Sequence, residues 1–233
     1  MDLDKFNIPR FLGTQPMFSS MRPDELQRLA QGCTLQRLER GKLIFRTGEP
    51  CHEFHMVVLG QVKLFALSPT GVEKVIELCG PGHSFAEAVM FMGVPYVVSA
   101  QTLTETLLLT IDKTAVLREI EADSRFALRM LAGISRRLHG LIKDVQGYAL
   151  HSGVQRVIGY LLGDHMNASE DAPAQAVTVA LPVSKSTIAS RLSLTPEYFS
   201  RVLHELEAAG LIRVDKRNIH IADTAKLASY QPR

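Results

Sequence analysis

The feature that most constrains this chain is a run of short β-prone segments, separated by glycines, that gives way to a helical pattern near residue 112. The glycines recur roughly every ten residues, at positions 41, 48, 60, 71, 80, 82 and 93. The segments between them are rich in β-branched and aromatic residues: LIFRT, EFHMVVLG, QVKLFALS, EKVIELCG, VVSAQTLTE and TLLLTI. Short strands with turn signals at this spacing predict an all-β sandwich or barrel.

A long helix follows the β-prone region. A short helix is predicted over about 112–121, and the long one begins near Ser124, whose side chain suits an N-cap, and runs to about Leu150. Its apolar residues recur at intervals of three and four: Leu131, Ile134, Leu138, Leu141, Val145 and Tyr148. A core helix packed on its own domain is the simpler interpretation. A stripe this narrow over almost three heptads favours a dimer interface instead, and we predict one along these residues.

The end of the long helix is the predicted domain boundary. A further helix is expected over about 151–166, followed by a polar loop at 167–176. We therefore divide the chain into residues 1–150 and 151–233. A length of 233 residues is consistent with two domains of ordinary size.

The segment from 181 to 211 has the pattern of a helix-turn-helix. Ser184 suits the N-cap of a first helix that ends near Leu192, and Pro196 suits the first position of a second helix. The apolar spacing predicts that Ile188, Ala189 and Leu192 are buried in the first helix and Phe199, Val202, Leu203 and Leu206 in the second. Two short strands around 215–218 would follow as a wing. An ordinary helical hairpin would not need the cap, the proline and the wing together.

The outward residues of the second helix are the predicted base contacts. Arg201 can grip guanine O6 and N7 in a bidentate way, Glu197 can accept from cytosine N4, and Ser200 suits either kind of edge. Thr195, at the start of the helix, suits a phosphate. The full predicted DNA-binding set is Lys185, Thr195, Glu197, Tyr198, Ser200, Arg201, Lys216 and Arg217. A surface ion pair between Glu197 and Arg201 is the simpler alternative, and it is compatible with DNA contact.

Taken together, the glycine-punctuated β region, the long helix and the helix-turn-helix with its wing resemble the Crp/Fnr family of bacterial transcription regulators. The resemblance implies an α+β protein: an N-terminal cyclic-nucleotide-binding-like β-roll (jelly roll), a long dimerisation helix and a C-terminal winged helix-turn-helix. It also implies a homodimer on a palindromic operator and, as partner, RNA polymerase at activated promoters. The string Glu197-x-x-Ser200-Arg201 resembles the Fnr type, which implies a site close to TTGAT-N4-ATCAA.

Two of the effectors known for this family agree poorly with the residues. A cyclic nucleotide needs an arginine for its phosphate, and Val97-Val98-Ser99-Ala100 has none, although Glu87 of the matching cassette is present. An iron–sulfur cluster needs four closely grouped cysteines, whereas Cys33, Cys51 and Cys79 are isolated.

The third effector is haem. The stretches 45–50 and 85–92 resemble the denitrification-regulator (Dnr) branch of the family, which implies nitric oxide sensing through haem in denitrification or anaerobic metabolism. The predicted effector pocket comprises Phe85, Glu87, Met90, Phe91, Met92, Met130 and Ile134. The metal ligand stays open among His52, His55, His83 and His139, each of which is also compatible with a surface or turn position.

Composition and the absence of other motifs narrow the function further. The formal net charge is +2, so any DNA contact depends on a local patch, and non-specific binding should be weak. We expect a cytoplasmic protein, because the first ten residues lack the pattern of a secretory signal and the uncharged stretch 88–104 is too mixed to span a membrane. No catalytic motif is recognisable, so we predict that it is not an enzyme. A cupin-like enzyme or ligand-binding protein without a DNA role is the alternative, although His52 and His55 would point to opposite faces of a strand.

Overall fold

The computed structural model describes residues 5–163 and 176–231. It divides into two compact units, Met1–Leu141 and Ile142–Arg233, and the division falls inside the long helix. The predicted loop at 167–176 lies outside the described residues apart from Ala176. None of the described helices combines the length and the hydropathy that a membrane span requires.

The first unit consists of β-strands preceded and followed by helices. Its elements are α1 (Ile8–Gly13), α2 (Pro23–Ala30), β1 (Cys33–Leu38), β2 (Leu43–Phe45), β3 (Glu53–Leu59), β4 (Val62–Leu67), β5 (Glu73–Cys79), β6 (Ser84–Phe85), α3 (Glu87–Met92), β7 (Ser99–Thr102), β8 (Thr106–Asp112), α4 (Lys113–Ala122) and the start of α5 (Ser124–Leu150). The six segments predicted as strands are confirmed. The sequence analysis missed α1, β1, β6 and α3.

Two four-stranded antiparallel sheets form the β-roll. One has the order β1-β8-β3-β6 and the other β2-β7-β4-β5, so the chain alternates between sheets rather than pairing consecutive strands throughout. In β3, the four residues from Phe54 to Val57 are all buried, which explains why apolar and polar residues do not alternate along it. Gly60 ends this strand with φ +93°, and a Cβ there would lie 2.4 Å from the Glu105 carbonyl oxygen, so the turn requires glycine.

The predicted span of α5 is confirmed, but its predicted cap is wrong. Ser124 is already the first helical residue. The preceding Asp123 is extended, and its Oδ1 accepts the backbone N–H of Arg125 at 3.0 Å. Aspartate is as good an N-cap as serine, and only the backbone conformation decides between adjacent candidates.

The second unit contains the remainder of α5 and the predicted winged helix-turn-helix. Its further elements are α6 (Gly153–Leu162), β9 (Val177–Ala180), α7 (Lys185–Arg191), α8 (Pro196–Ala208), β10 (Ile212–Asp215), β11 (Asn218–Ile221) and α9 (Thr224–Ala228). The caps agree with the sequence, because Ser184 accepts from Thr187 N and Thr195, just before Pro196, accepts from Tyr198 N. The wing has a third strand that the sequence reasoning missed, and the sheet order is β10-β11-β9.

Candidate functional site

The helix-turn-helix presents a polar face because its apolar residues are buried. Ile188 and Ala189 of α7 are buried, as are four residues of α8: Phe199, Val202, Leu203 and Leu206. Leu192, also predicted to be buried, is half-buried at the helix end. The first two turns of α8 therefore carry Glu197, Ser200 and Arg201 on the side away from the core. This is the part of a recognition helix that reaches base edges.

The structure places the predicted DNA-binding residues at the surface to different degrees. Thr195, Glu197, Arg201, Lys216 and Arg217 are exposed, whereas Lys185, Tyr198 and Ser200 are half-buried. Thr195 has a structural role besides any phosphate contact, because its Oγ1 accepts the N–H of Tyr198 at 3.1 Å. Lys216 and Arg217 form the tip of the wing, between β10 and β11, and Lys216 has a left-handed backbone with φ +53°.

Arg201 is oriented by an aromatic neighbour. Its guanidinium carbon lies 4.7 Å from the centroid of the Tyr198 ring, and it makes no ion pair with Glu197 in the described part of the chain. The Tyr198 ring in turn lies against Gly153, where a Cβ would come within 2.4 Å of the Tyr198 Cε1. A cation on an aromatic face keeps its outer N–H groups available, so this stacking leaves Arg201 able to donate to a base.

Arg191, which contributes to the positive charge of the motif, faces its own chain. Its Nη2 lies 2.5 Å from Asp144 Oδ2, and its Nη1 donates to the Tyr148 hydroxyl at 2.5 Å. Tyr148, predicted on the dimer stripe, is half-buried in this contact.

A second candidate site surrounds Glu87 in the β-roll. Ala86, with φ +74°, turns the chain from β6 into α3 and directs Glu87 inward, where only 3% of it is exposed. Arg137 of α5 donates from Nη1 to Glu87 Oε2 at 2.9 Å, from Nε to Glu77 Oε1 at 3.1 Å, and from Nη2 to the Ser84 carbonyl oxygen. Burial opposes the charge, yet both carboxylates raise the pKa of Arg137, so it remains a cation.

Arg137 is a residue of this candidate site that the sequence analysis did not single out. A signal was present in the spacing. Phe126 and Met130 are the buried residues of α5, and Arg137 follows Met130 by seven positions, on the same face. A basic residue that continues a buried helix face needs an acidic partner, and Glu87 supplies it.

The predicted effector residues are not all brought together. Phe85, Met90 and Met130 are buried in the main core of the unit, Phe91 and Ile134 are half-buried, and Met92 is exposed. Two carboxylates and one guanidinium leave this site with a net negative charge. That charge would repel an anionic effector such as a cyclic nucleotide, which agrees with the missing cassette arginine.

The described residues do not fit a haem group. His55 is the buried histidine, but its Nδ1 lies 3.0 Å from Thr110 Oγ1, its Nε2 lies 3.5 Å from the Tyr96 hydroxyl, and Phe45 stacks on its ring. The other three proposed ligands, His52, His83 and His139, are exposed. Phe85, Met90 and Met130 pack in the core and offer no open apolar face to a planar macrocycle.

The cysteines are separate and free. Cys51 and Cys79 are buried, and Cys33 is half-buried with its thiol donating to the Leu29 carbonyl oxygen. Burial raises the pKa of Cys33 to about 12, so its thiol stays protonated. In the described ranges no three His, Cys, Asp or Glu side chains are grouped closely enough to hold a metal ion.

The apolar stripe of α5 is exposed along one face. Leu131, Leu138 and Val145, each seven residues apart, are 57%, 58% and 64% exposed. Leu128 and Ile142 are exposed beside them at 65% and 48%, whereas Ile134 and Tyr148 are half-buried. These five residues follow a heptad register through positions 128, 131, 138, 142 and 145, and Leu141 of the predicted stripe is exposed at 37%. Relative to the predicted stripe, Leu128 and Ile142 are additions.

Comparison with known proteins agrees with this architecture. The cyclic nucleotide-binding domain family matches residues 35–123, and the Crp-like helix-turn-helix domain family matches residues 155–230. The crystal structure of DNR from Pseudomonas aeruginosa is 35% identical and covers 97% of this chain and 100% of its own, with a TM-score of 0.52. FixK2 from Bradyrhizobium japonicum shares the fold, with a TM-score of 0.73 and 23% identity over 84% of this chain and 95% of its own.

A curated relative supports the same assignment. The "CRP-like cAMP-activated global transcriptional regulator" of Mycobacterium tuberculosis is 24% identical over 223 residues, which is 95% of this chain and 98% of that protein. These relatives are transcription regulators and not enzymes. A β-roll, a long helix and a helix-turn-helix with an exposed recognition face are thus joined in one chain, which belongs to the Crp/Fnr family of DNA-binding, effector-responsive transcription regulators.

Proposed function

We propose that this regulator binds an Fnr-like palindrome, close to TTGAT-N4-ATCAA, as a homodimer. The observation that carries the proposal is the outward-facing set of exposed Glu197, half-buried Ser200 and exposed Arg201 on the first two turns of α8, with Arg201 stacked on Tyr198. A guanidinium presented in this way suits guanine O6 and N7, and an adjacent carboxylate suits cytosine N4. The wing residues Lys216 and Arg217 add sequence-independent phosphate contacts.

The proposal gives the two parts of the chain different roles. Residues 1–150 sense the effector and dimerise through α5, and residues 151–233 bind DNA. In a symmetric dimer, effector binding in the β-roll would reposition the α5 helices so that two recognition helices meet half-sites about 34 Å apart. The exposed heptad on α5 supports a second copy of this chain as its partner, because seven-residue spacing is the pattern of a coiled-coil seam.

The experiment that tests the proposal measures binding of the full chain to a TTGAT-N4-ATCAA duplex by fluorescence anisotropy. Arg201→Ala should weaken binding by about 1–3 kcal/mol and relax the preference at one base pair of each half-site. Arg118→Ala, which removes an exposed arginine from α4, is the matched control and should bind as the unmodified protein does. Equal affinity for this duplex and a scrambled one would overturn the proposed operator.

The effector proposal depends on similarity rather than on side-chain geometry. The sensor domain of DNR is 37% identical to this chain in a match that covers 57% of this chain and 90% of that domain, and the stretch 85–92 resembles that branch of the family. On this similarity alone, haem with nitric oxide is the effector to test first, although the described side chains argue against a haem site. Absorption spectra with and without added haem and nitric oxide decide it, since no Soret shift in either case removes this hypothesis.

Activation of transcription is the further part of the proposal. The family resemblance supports contact with RNA polymerase in the cytoplasm, where the operator DNA lies. Transcription in vitro from a promoter that carries the palindrome distinguishes the two regulatory roles: activation should raise transcript yield when the regulator is added, and repression should lower it.

A further inference from the structure

The turn between α7 and α8 is held by side chains from outside the helix-turn-helix. The last carbonyl groups of a helix have no partner within it and normally bond to water or to a cap. Here the backbone N–H groups of Leu192, Ser193 and Leu194 donate to the carbonyl oxygens of residues 188, 190 and 189. The next three carbonyl oxygens, those of Arg191, Leu192 and Ser193, accept hydrogen bonds from side chains.

Two residues that precede the motif in sequence supply these bonds. The Tyr148 hydroxyl, on α5, donates to the Arg191 carbonyl oxygen at 2.6 Å. Nη1 of Arg156, on α6, donates to the carbonyl oxygens of Leu192 at 2.6 Å and Ser193 at 3.3 Å. The turn is therefore attached to two other helices of the same unit at three consecutive peptide groups.

The Tyr148 hydroxyl both donates and accepts a hydrogen bond. While it donates to the Arg191 backbone, it accepts from the Arg191 side chain, whose other terminal nitrogen pairs with Asp144 one helical turn earlier on α5. Burial raises the pKa of the Tyr148 hydroxyl, so it keeps the proton that it donates. Asp144 and Arg191 thus fix the position of the hydroxyl.

The position of this turn decides where the recognition helix begins. Ser193 has a left-handed backbone with φ +56°, and Thr195, the N-cap of α8, follows two residues later. A rotation of the turn would carry Glu197, Ser200 and Arg201 with it. Base contacts need hydrogen-bond geometry that tolerates little displacement, so a restrained turn improves base readout more than it improves charge attraction to phosphates.

We propose that Tyr148 is a positioning residue for operator recognition, which restrains the helix-turn-helix turn through its hydroxyl. This inference rests on the proposed function, because it concerns how α8 reads the operator. It predicts an effect on sequence-specific binding that is larger than the effect on non-specific binding. It assigns to α5, the helix that enters this unit from the β-roll, a direct attachment to the recognition motif.

The test replaces Tyr148 by phenylalanine in the full chain, which removes only the hydroxyl. We expect operator affinity to fall by about two- to tenfold, the range of one net hydrogen bond, with unchanged binding to a scrambled duplex and an unchanged dimer. Tyr160→Phe is the control for the loss of a half-buried hydroxyl, because Tyr160 lies on α6 and makes no hydrogen bond with the described residues, although it interacts electrostatically with Arg191. Arg156→Lys, which keeps the charge but loses the fixed guanidinium geometry, should lower the operator-to-scrambled ratio in the same direction.

The outcomes separate this inference from the proposed operator. If the unmodified protein does not prefer the palindrome, the proposed function fails. If it does, and Tyr148→Phe retains the full preference, the positioning role is wrong. Equal losses on operator and scrambled DNA, with a lower melting temperature, would also overturn it, since they indicate a stability role only. If Tyr148→Phe does not fold, the ratio of operator affinity to scrambled-duplex affinity is measured for Arg156→Lys instead. An unchanged ratio for that variant would show that the positioning role is wrong.

Discussion

Arg137 Nη1 lies 2.9 Å from Glu87 Oε2, so a cation from the long helix α5 neutralises a buried carboxylate at the edge of the β-roll. The sequence separates the two residues by fifty positions. This pair ties the helix that carries the exposed heptad to the site where the family resemblance locates the effector. Any effector that binds beside Glu87 therefore also contacts or displaces the guanidinium of Arg137.

The Arg137–Glu87 pair predicts a specific loss of stability. Arg137→Gln would leave the buried Glu87 carboxylate without its cation, and we expect the free energy of unfolding to fall by about 2–3 kcal/mol in urea denaturation. This is less than for a fully buried pair because the Arg137 side chain is partly exposed.

Two further variants check the cause. Arg136→Gln removes an exposed neighbouring arginine and should leave the stability nearly unchanged. Adding Glu87→Gln to Arg137→Gln should restore part of the loss, because the amide needs no cation. A single Arg137→Gln variant as stable as the unmodified protein would show that the pair is not energetically significant.

The heptad on α5 predicts the dimer interface. Leu138→Asp would place a charge at the centre of the exposed stripe, and we expect a monomer in sedimentation and weaker operator binding. Leu117→Asp, at an exposed leucine of α4, is the control and should remain dimeric. A dimeric Leu138→Asp variant that binds DNA normally would show that the interface lies elsewhere.

The burial of His55 predicts that the β-roll becomes less stable as the pH falls. Burial lowers the pKa of His55 from 6.5 to about 4, so the folded chain keeps this imidazole neutral while the unfolded chain takes up a proton below pH 6.5. The stability contribution is complete above pH 6.5 and is lost as the pH falls towards 4, by up to about 3 kcal/mol. Urea denaturation at pH 7.5 and pH 5 measures the loss, and His55→Gln should make the two curves more alike. An unmodified protein equally stable at both values would contradict this assignment.

The close contact between Gly153 and Tyr198 predicts that a side chain at position 153 would displace Arg201. A Cβ at this position would lie 2.4 Å from Tyr198 Cε1 and 2.8 Å from its Cζ, so Gly153→Ala must displace the ring on which Arg201 stacks. We expect operator affinity to fall by about tenfold, as for a small overpacking strain of about 1–2 kcal/mol. Gly159→Ala, in the same helix with open space around its Cβ, should bind normally and be slightly stabilised. Indistinguishable affinities for the two variants would show that the Tyr198 position is unimportant.

Local signals explain which parts of the helix-turn-helix could be predicted. Ser184 and Pro196 act within one helical turn of their own position, and a helix start depends on those few residues. The third wing strand, β9, was missed because its four residues become a strand only by pairing with β11. Asp123 and Ser124 are both good caps, so composition alone could not choose between them.

The class of this protein can be read from the sequence alone: a glycine-punctuated β region, a 27-residue helix and a capped helix-turn-helix with outward-facing Glu197, Ser200 and Arg201. Those features depend on periodicity and on short-range backbone chemistry, both of which are written along the chain. The partners of the polar side chains depend on how the chain packs. Packing pairs Arg137 with Glu87, places Tyr148 on the turn before α8, and puts Tyr198 between Gly153 and Arg201. Apart from the contact of Tyr198 with Arg201, which lies within α8, these contacts join residues far apart in sequence. A long flexible side chain can be matched to such a partner only when packing has brought the two backbones together.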